Sequence, residues 1–168
     1  MKKLLFCIFL LAANITFAQK VTVKGIYLRF SYQIGAEISI GKRYAILCNY
    51  RFTDFYFINP YPYSRALLPE IRYYFDKDKK NRGFLSLYGK ISEKWEYYER
   101  AGSNLGSVYA KQDGIGVLGG YKHYFGKHFN IELFCGGAVL KSKGTSSLGP
   151  FNESVVAPRL GVLFGLTI

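Results

Sequence analysis

Charge is scarce in this chain and unevenly signed. Only 20% of its 168 residues are charged, with 11 Asp+Glu against 23 Lys+Arg. Proline (five), cysteine (three), histidine (two), methionine (one) and tryptophan (one) are thin as well. Each shortage excludes something. A chain that is 49% hydrophobic is not disordered, because disordered chains are poorer in apolar and aromatic side chains. No apolar run of spanning length follows Ala18, so the rest of the chain cannot cross a membrane as helices. His123 and His128 flank a turn without further cysteine, histidine or carboxylate ligands, which makes a weak metal or catalytic set.

What the chain does have is aromatic rings and glycine. Fifteen Tyr, fourteen Phe and one Trp bring aromatics to 18%, with 18 Gly beside them. Tyr, Phe and Gly are mediocre helix formers, and the first two favour strands. The N-terminus is different in kind. Lys2 and Lys3 form a positive start, Leu4 to Ala13 an apolar stretch, and Thr16-Phe17-Ala18 a small-x-small site before Gln19. That is the pattern of a secretory signal cleaved after Ala18. The stretch is too short for a helix across roughly 30 Å of hydrocarbon. Cys7 lies inside it, which argues against a lipid-modified N-terminal cysteine. The expected mature chain is 19–168, one exported domain.

Within 19–168 the dominant hydrophobic period is two. Val156, Pro158, Leu160, Val162, Phe164, Leu166 and Ile168 share one face of the last segment. Tyr44, Ile46, Cys48, Tyr50 and Phe52 do the same earlier, as do Leu67, Pro69, Ile71, Tyr73 and Phe75. Turn signals place strands near 21–31, 34–40, 43–57, 66–75, 83–98, 110–125, 129–142 and 155–168. The count is eight, or seven without a break around Tyr32-Gln33. The turns at Gly41-Lys42, Asp76–Arg82 and Gly126-Lys127-His128 are short to medium and basic. Asn59–Arg65, Arg100–Tyr109 and Lys143–Asn152 read as longer loops. Short turns at one end and longer loops at the other are the habit of a transmembrane barrel.

The two faces separate by charge. On the apolar face lie 26–30, 36–40, 44–52, 67–75, 83–91, 115–121, 129–139 and 156–168, each taken by twos. None of these 38 positions is charged, where the overall composition would put about seven or eight. The opposite face carries Arg29, Glu37, Arg51, Glu70, Arg72, Lys90, Lys122, Glu132 and Arg159 among small and polar residues. A soluble sandwich or lipocalin would turn its charges outward. Aromatics gather towards strand ends at Phe55-Tyr56-Phe57, Tyr73-Tyr74-Phe75, Trp95 with Tyr97-Tyr98, and Tyr124-Phe125. Such placement suits interfacial girdles. The reading is all-β: an eight-stranded antiparallel up-and-down transmembrane β-barrel.

Several segments carry a family likeness. They are Gly35-Ala36-Glu37, Leu68-Pro69-Glu70-Ile71-Arg72-Tyr73-Tyr74-Phe75, Gly114-Ile115-Gly116-Val117-Leu118-Gly119-Gly120-Tyr121, Phe129-Asn130-Ile131-Glu132-Leu133 and the closing strand. On these the chain resembles the small eight-stranded outer-membrane barrels of the OmpA/OmpX kind, in a branch found in bacteria of the Bacteroides–Flavobacterium type. The resemblance implies both termini in the periplasm and longer loops outside. One departure is the C-terminal residue, Ile168 where such barrels commonly end in an aromatic ring.

The remaining motifs weigh little. Gly114-x-Gly116-x-x-Gly119 matches a dinucleotide fingerprint but lacks the following helix that would receive the phosphates. Asp76-Lys77-Asp78-Lys79-Lys80-Asn81 begins like a calcium loop but lacks its glycine and terminal glutamate. Cys48 and Cys135 fall on non-neighbouring strands, beyond the roughly 7 Å that a disulfide tolerates. The interior charges, six basic and three acidic, can be a salt-bridge plug or an ion path. An eight-stranded interior is just wide enough for side chains to fill, which favours the plug.

No catalytic residue, cofactor or metal is therefore expected, and no nucleic acid. Expected partners are outer-membrane lipids including lipopolysaccharide, the barrel-assembly machinery during biogenesis, and a surface ligand met by the loops. The expected role is a non-enzymatic outer-membrane scaffold presenting loops. Its alternatives are a narrow ion or small-solute channel and a lipid-modifying enzyme; a soluble ligand carrier is opposed by the uncharged face.

Overall fold

The computed structural model describes residues 20–28, 31–54, 63–75, 81–99, 105–146 and 149–168. The signal-like segment 1–18, Arg29, Phe55–Phe57 and the stretch 76–80 lie outside the described residues. Eight strands follow one another: β1 (Lys20–Leu28), β2 (Ser31–Ile40), β3 (Tyr44–Asp54), β4 (Tyr63–Tyr74), β5 (Asn81–Glu99), β6 (Leu105–Phe125), β7 (Phe129–Ser146) and β8 (Gly149–Thr167). Each pairs antiparallel with the next, and β8 returns to β1, closing a barrel in simple up-and-down order. The expected fold class holds.

Local chemistry explains the joints. Gly41 (φ 64°) and Gly126 (φ 70°) supply the left-handed backbone that the tight β2–β3 and β6–β7 turns need. Proline is handled at edges and gaps. The β4–β5 ladder passes from Leu67↔Ile91 to Glu70↔Tyr88, skipping Pro69. Pro69 has no N–H to donate, and Gly89 beside it leaves room for the ring, since a Cβ there would sit 3.3 Å from Pro69 Cγ.

Among the described residues the two halves of the ring differ in strand length. β1 to β4 run 9–12 residues, whereas β5 to β8 run 18–21. The β1–β8 ladder holds only from Thr22↔Thr167 to Gly25↔Phe164. Above it β8 has no ladder partner on that side among the described residues. Ile168 N–H donates to Val21 O while Thr167 N–H donates to His128 O, so even-numbered β8 residues direct their backbone towards β1. Pro158 and Pro150 are both even, so each missing N–H faces the open edge. Proline there blunts strand addition.

Five expectations need correction. Tyr32 and Gln33 are paired within β2, opposite Tyr27 and Ile26, so the first break does not fall there. Lys143–Asn152 is almost wholly strand, its ladder running to Ser146↔Gly149, and 105–109 belongs to β6. Tyr63 to Arg65, expected at the end of a loop, belong to β4. Hairpin partners carry these Gly/Ser-rich segments into the sheet, because strand preference depends on neighbours more than on intrinsic propensity. Finally, Ile26 packs against the interior cluster, opposite to the face expected for 26–30.

Candidate functional site

The molecule is inside-out relative to a soluble domain. Ile34, Ile71, Leu87, Ile91, Ile115, Val117, Leu133, Val139 and Leu160 stand exposed on the outer surface. Lys24, Glu37, Glu70, Arg72, Lys122 and Glu132 are each 2% exposed or less inside. The outer apolar belt has a charged upper edge, because outward positions change together on neighbouring strands. Arg65 on β4 is opposite Glu93 on β5, and Glu93 is opposite Lys111 on β6. Asp113 is opposite Lys141 on β7. Rings mark the same level. Tyr32 stacks on Phe52 at 6.3 Å, and Trp95 lies between Tyr63 at 6.2 Å and Tyr109 at 4.6 Å. At the opposite end Tyr44, Tyr73 and Phe75 cluster. Tyr74 and Tyr124, from the expected girdle clusters, instead turn inward and are buried. The side chains of Tyr97 and Tyr98 lie outside the described residues.

Inside, charges from opposite walls meet across the centre. Arg72 on β4 donates from Nε to Glu70 at 2.6 Å and from Nη1 to Glu132 on β7 at 2.6 Å and to Glu37 on β2 at 3.1 Å. Lys122 on β6 reaches Glu37 at 2.6 Å and Glu132 at 3.2 Å. Lys24 on β1 bonds both Glu37 and Glu132. The Tyr74 hydroxyl donates to Glu37 as well, at 3.0 Å. Buried charges need such partners, since desolvation otherwise outweighs their attraction. Aromatic faces cover the cations: Phe84 lies 4.3 Å from the Arg72 guanidinium, and Tyr124 lies 5.0 Å from the Lys122 ammonium.

Of the nine interior charges expected from the sequence, Glu37, Glu70, Arg72, Lys122 and Glu132 form this network, and Arg159 touches Glu70 at 3.5 Å. Arg51 and Lys90 sit above it. Arg51 donates to the Gln33 side-chain oxygen at 3.1 and 3.2 Å, and Lys90 to Gln112 at 3.2 Å. Arg29 lies outside the described residues. Sequence reading missed Lys24, which is the buried cation of β1. The available signal was the alternation Val21-x-Val23, which sets Thr22 and Lys24 inward.

The glycine fingerprint is split between faces. A Cβ on Gly116 would come within 2.4 Å of Gly137 O and 2.6 Å of the Tyr88 ring, whereas Gly119 has nothing within 4 Å. Gly116 therefore makes room inside the barrel for Tyr88. His123 lies beside Asn81, and His128 meets the Thr167 carbonyl at 3.0 Å. Among the described residues no three His, Cys, Asp or Glu side chains form a metal-holding group. Cys48 and Cys135 are both unbridged.

The family profile described as "Protein of unknown function (DUF3575)" matches residues 3–144. The chain belongs to that family. A search of curated proteins returned no match. Among solved structures it is similar to Neisserial surface protein A (NspA), with a TM-score of 0.52 and 13% identity over 89% of this chain and 92% of that one. It is also similar to the N-terminal β-barrel domain of Pseudomonas aeruginosa OprF, with a TM-score of 0.49 and 12% identity over 89% and 96%. At such identities the likeness is one of fold, and the fold is that of the small eight-stranded outer-membrane barrels.

Proposed function

We propose that this chain is an exported, non-enzymatic barrel of a Gram-negative outer membrane, a rigid scaffold that presents the tall β5–β8 sheet and its loops at the cell surface. The observation that carries the reading is the uncharged apolar belt around a charged interior. In water so large an apolar surface would drive association. In a bilayer it is the required surface. The belt has four to six outward residues on β4 to β7, about the 9–11 strand residues that a tilted span needs. The N-terminal signal pattern supports export.

The cross-barrel network supports a closed scaffold over a channel, because side chains from β2, β4, β6 and β7 touch at the centre. Lys111, Lys141 and Lys143 on the upper rim suit the phosphates of lipopolysaccharide. During biogenesis the barrel-assembly machinery would insert it.

The test is topology on intact cells. In a background with Cys48 and Cys135 replaced by Ser, a cysteine at Thr145 should react with a membrane-impermeant maleimide. A cysteine at Lys127 should react only after the outer membrane is opened. Equal labelling of both sites in intact cells contradicts the orientation. The channel reading is kept for one observation: Arg51, Lys90 and Arg159 leave a cationic upper interior. Steady conductance in planar bilayers, altered by Arg72→Ala, would support it; a flat trace removes it.

A further inference from the structure

Among the described residues the ladder that closes the barrel between β1 and β8 is short, and beyond its end an apolar groove joins an arginine. The ladder between the two strands stops at Gly25↔Phe164. Gly25 points outward and has no side chain, which leaves a notch between its neighbours. A groove of about 820 Å³ crosses the seam there, lined by Val23, Tyr32, Ile34, Phe129, Phe164 and Leu166 among others. Its walls also include Gln33 and Lys24, which belong to the interior face. A second cavity of about 130 Å³ shares Ile26 and Gln33 with the groove and continues to Arg51.

The polar chemistry of the inner cavity is one-sided. Gln33 is 4% exposed, and its side-chain oxygen is taken by two Arg51 N–H groups. Its Nε2 has no hydrogen-bond partner. Among the described residues no carboxylate pairs with Arg51. Behind it, Arg159 is 6% exposed and has Nε and one terminal nitrogen without partners. Lys90, Arg51 and Arg159 lie within electrostatic range of one another. Buried donors without acceptors carry a desolvation cost, and an anionic oxygen would satisfy them. A planar guanidinium matches a carboxylate particularly well.

From this juxtaposition we propose that the β1–β8 seam binds a long-chain fatty carboxylate taken from the membrane. The acyl chain lies in the outer groove over Gly25, and the carboxylate passes the seam to Arg51 and the Gln33 amide. The inner cavity has room for one small head group, which excludes a bulky multi-chain lipid head. The groove is of the size usual for small-molecule sites.

The test uses the purified barrel in phosphatidylcholine vesicles with a palmitate analogue carrying a terminal diazirine. Adducts formed on illumination are mapped by peptide mass spectrometry. Labelling should concentrate on the peptides bearing Tyr32, Ile34, Phe164 and Leu166. The methyl ester of the same probe should label them about tenfold less, the scale of one charge-assisted hydrogen bond. Arg51→Gln should give the same loss. Gly25→Trp should abolish labelling by filling the notch while keeping Arg51, and both variants are first checked for the folded gel mobility. Labelling spread evenly around the outer face overturns the proposal, as does labelling unaffected by esterification or by Arg51→Gln. Competition by inorganic phosphate as effective as that by unlabelled palmitate also overturns it, and makes the cavity a site for free anions.

Discussion

Two interior arginines should respond very unequally to removal of their charge. Arg72 and Arg159 are both buried, at 1% and 6% exposure. Arg72 makes three carboxylate contacts, to Glu70 at 2.6 Å, Glu132 at 2.6 Å and Glu37 at 3.1 Å. Arg159 makes one at 3.5 Å and leaves two nitrogens unpartnered. Arg72→Met deprives Glu70 of its short partner and weakens the hold on two further carboxylates. Breaking a buried pair from one side costs about 3–5 kcal/mol. Arg159→Met removes a poorly satisfied cation from an interior where four buried cations face three carboxylates. The lost 3.5 Å contact and the relieved desolvation nearly offset, so stability should change by no more than about 1 kcal/mol. Adding Glu70→Gln to Arg72→Met should recover part of the loss, because the carboxylate left with only the long Arg159 contact is then gone. The assay is guanidinium unfolding of the detergent-folded barrel, followed by the fluorescence of Trp95. Equal losses for the two arginines would refute the reasoning, as would an Arg72→Met loss within about 1 kcal/mol.

Further outcomes follow from the same geometry. Gly116→Ala should destabilise by about 1–3 kcal/mol through overlap with the Tyr88 ring and the β7 backbone, while Gly119→Ala should be near neutral; unfolding midpoints compare them. Lys24→Met should cost about 3–5 kcal/mol, since it leaves Glu37 and Glu132 each short of a cation, and the same titration reads it. The unbridged Cys48 and Cys135 predict identical gel mobility with and without reductant and two alkylation adducts by intact mass after denaturation of the processed chain. A mobility change on reduction of the monomer would overturn that.

Much of the architecture was legible because alternation and charge reported the same thing. On β4, Leu67 to Tyr73 face out at odd positions, while Glu70 and Arg72 face in at even ones; β5 to β8 repeat the pattern. β1 was harder. Val21 and Val23 point to one parity, and Ile26, Leu28 and Phe30 to the other, so the apolar pattern changes phase at Gly25. Burial of Lys24 between Glu37 on the neighbouring β2 and Glu132 on β7 fixes the phase, and the second of these lies far along the chain. Strand ends were hidden for a related reason. Residues 143–152 carry the composition of a loop, yet opposite partners extend the ladder through 143–146 and 149–152. The seam could not be read at all, because a shortened ladder between the first and last strands has no local signature.

The central claim is a closed barrel held in the outer membrane by its apolar belt. It is tested most directly by fractionating cell membranes and running the outer-membrane fraction on a denaturing gel, boiled and unboiled. The account predicts that the protein is found in that fraction and migrates at a different position until boiling opens the barrel. A soluble periplasmic protein whose mobility ignores boiling would contradict it.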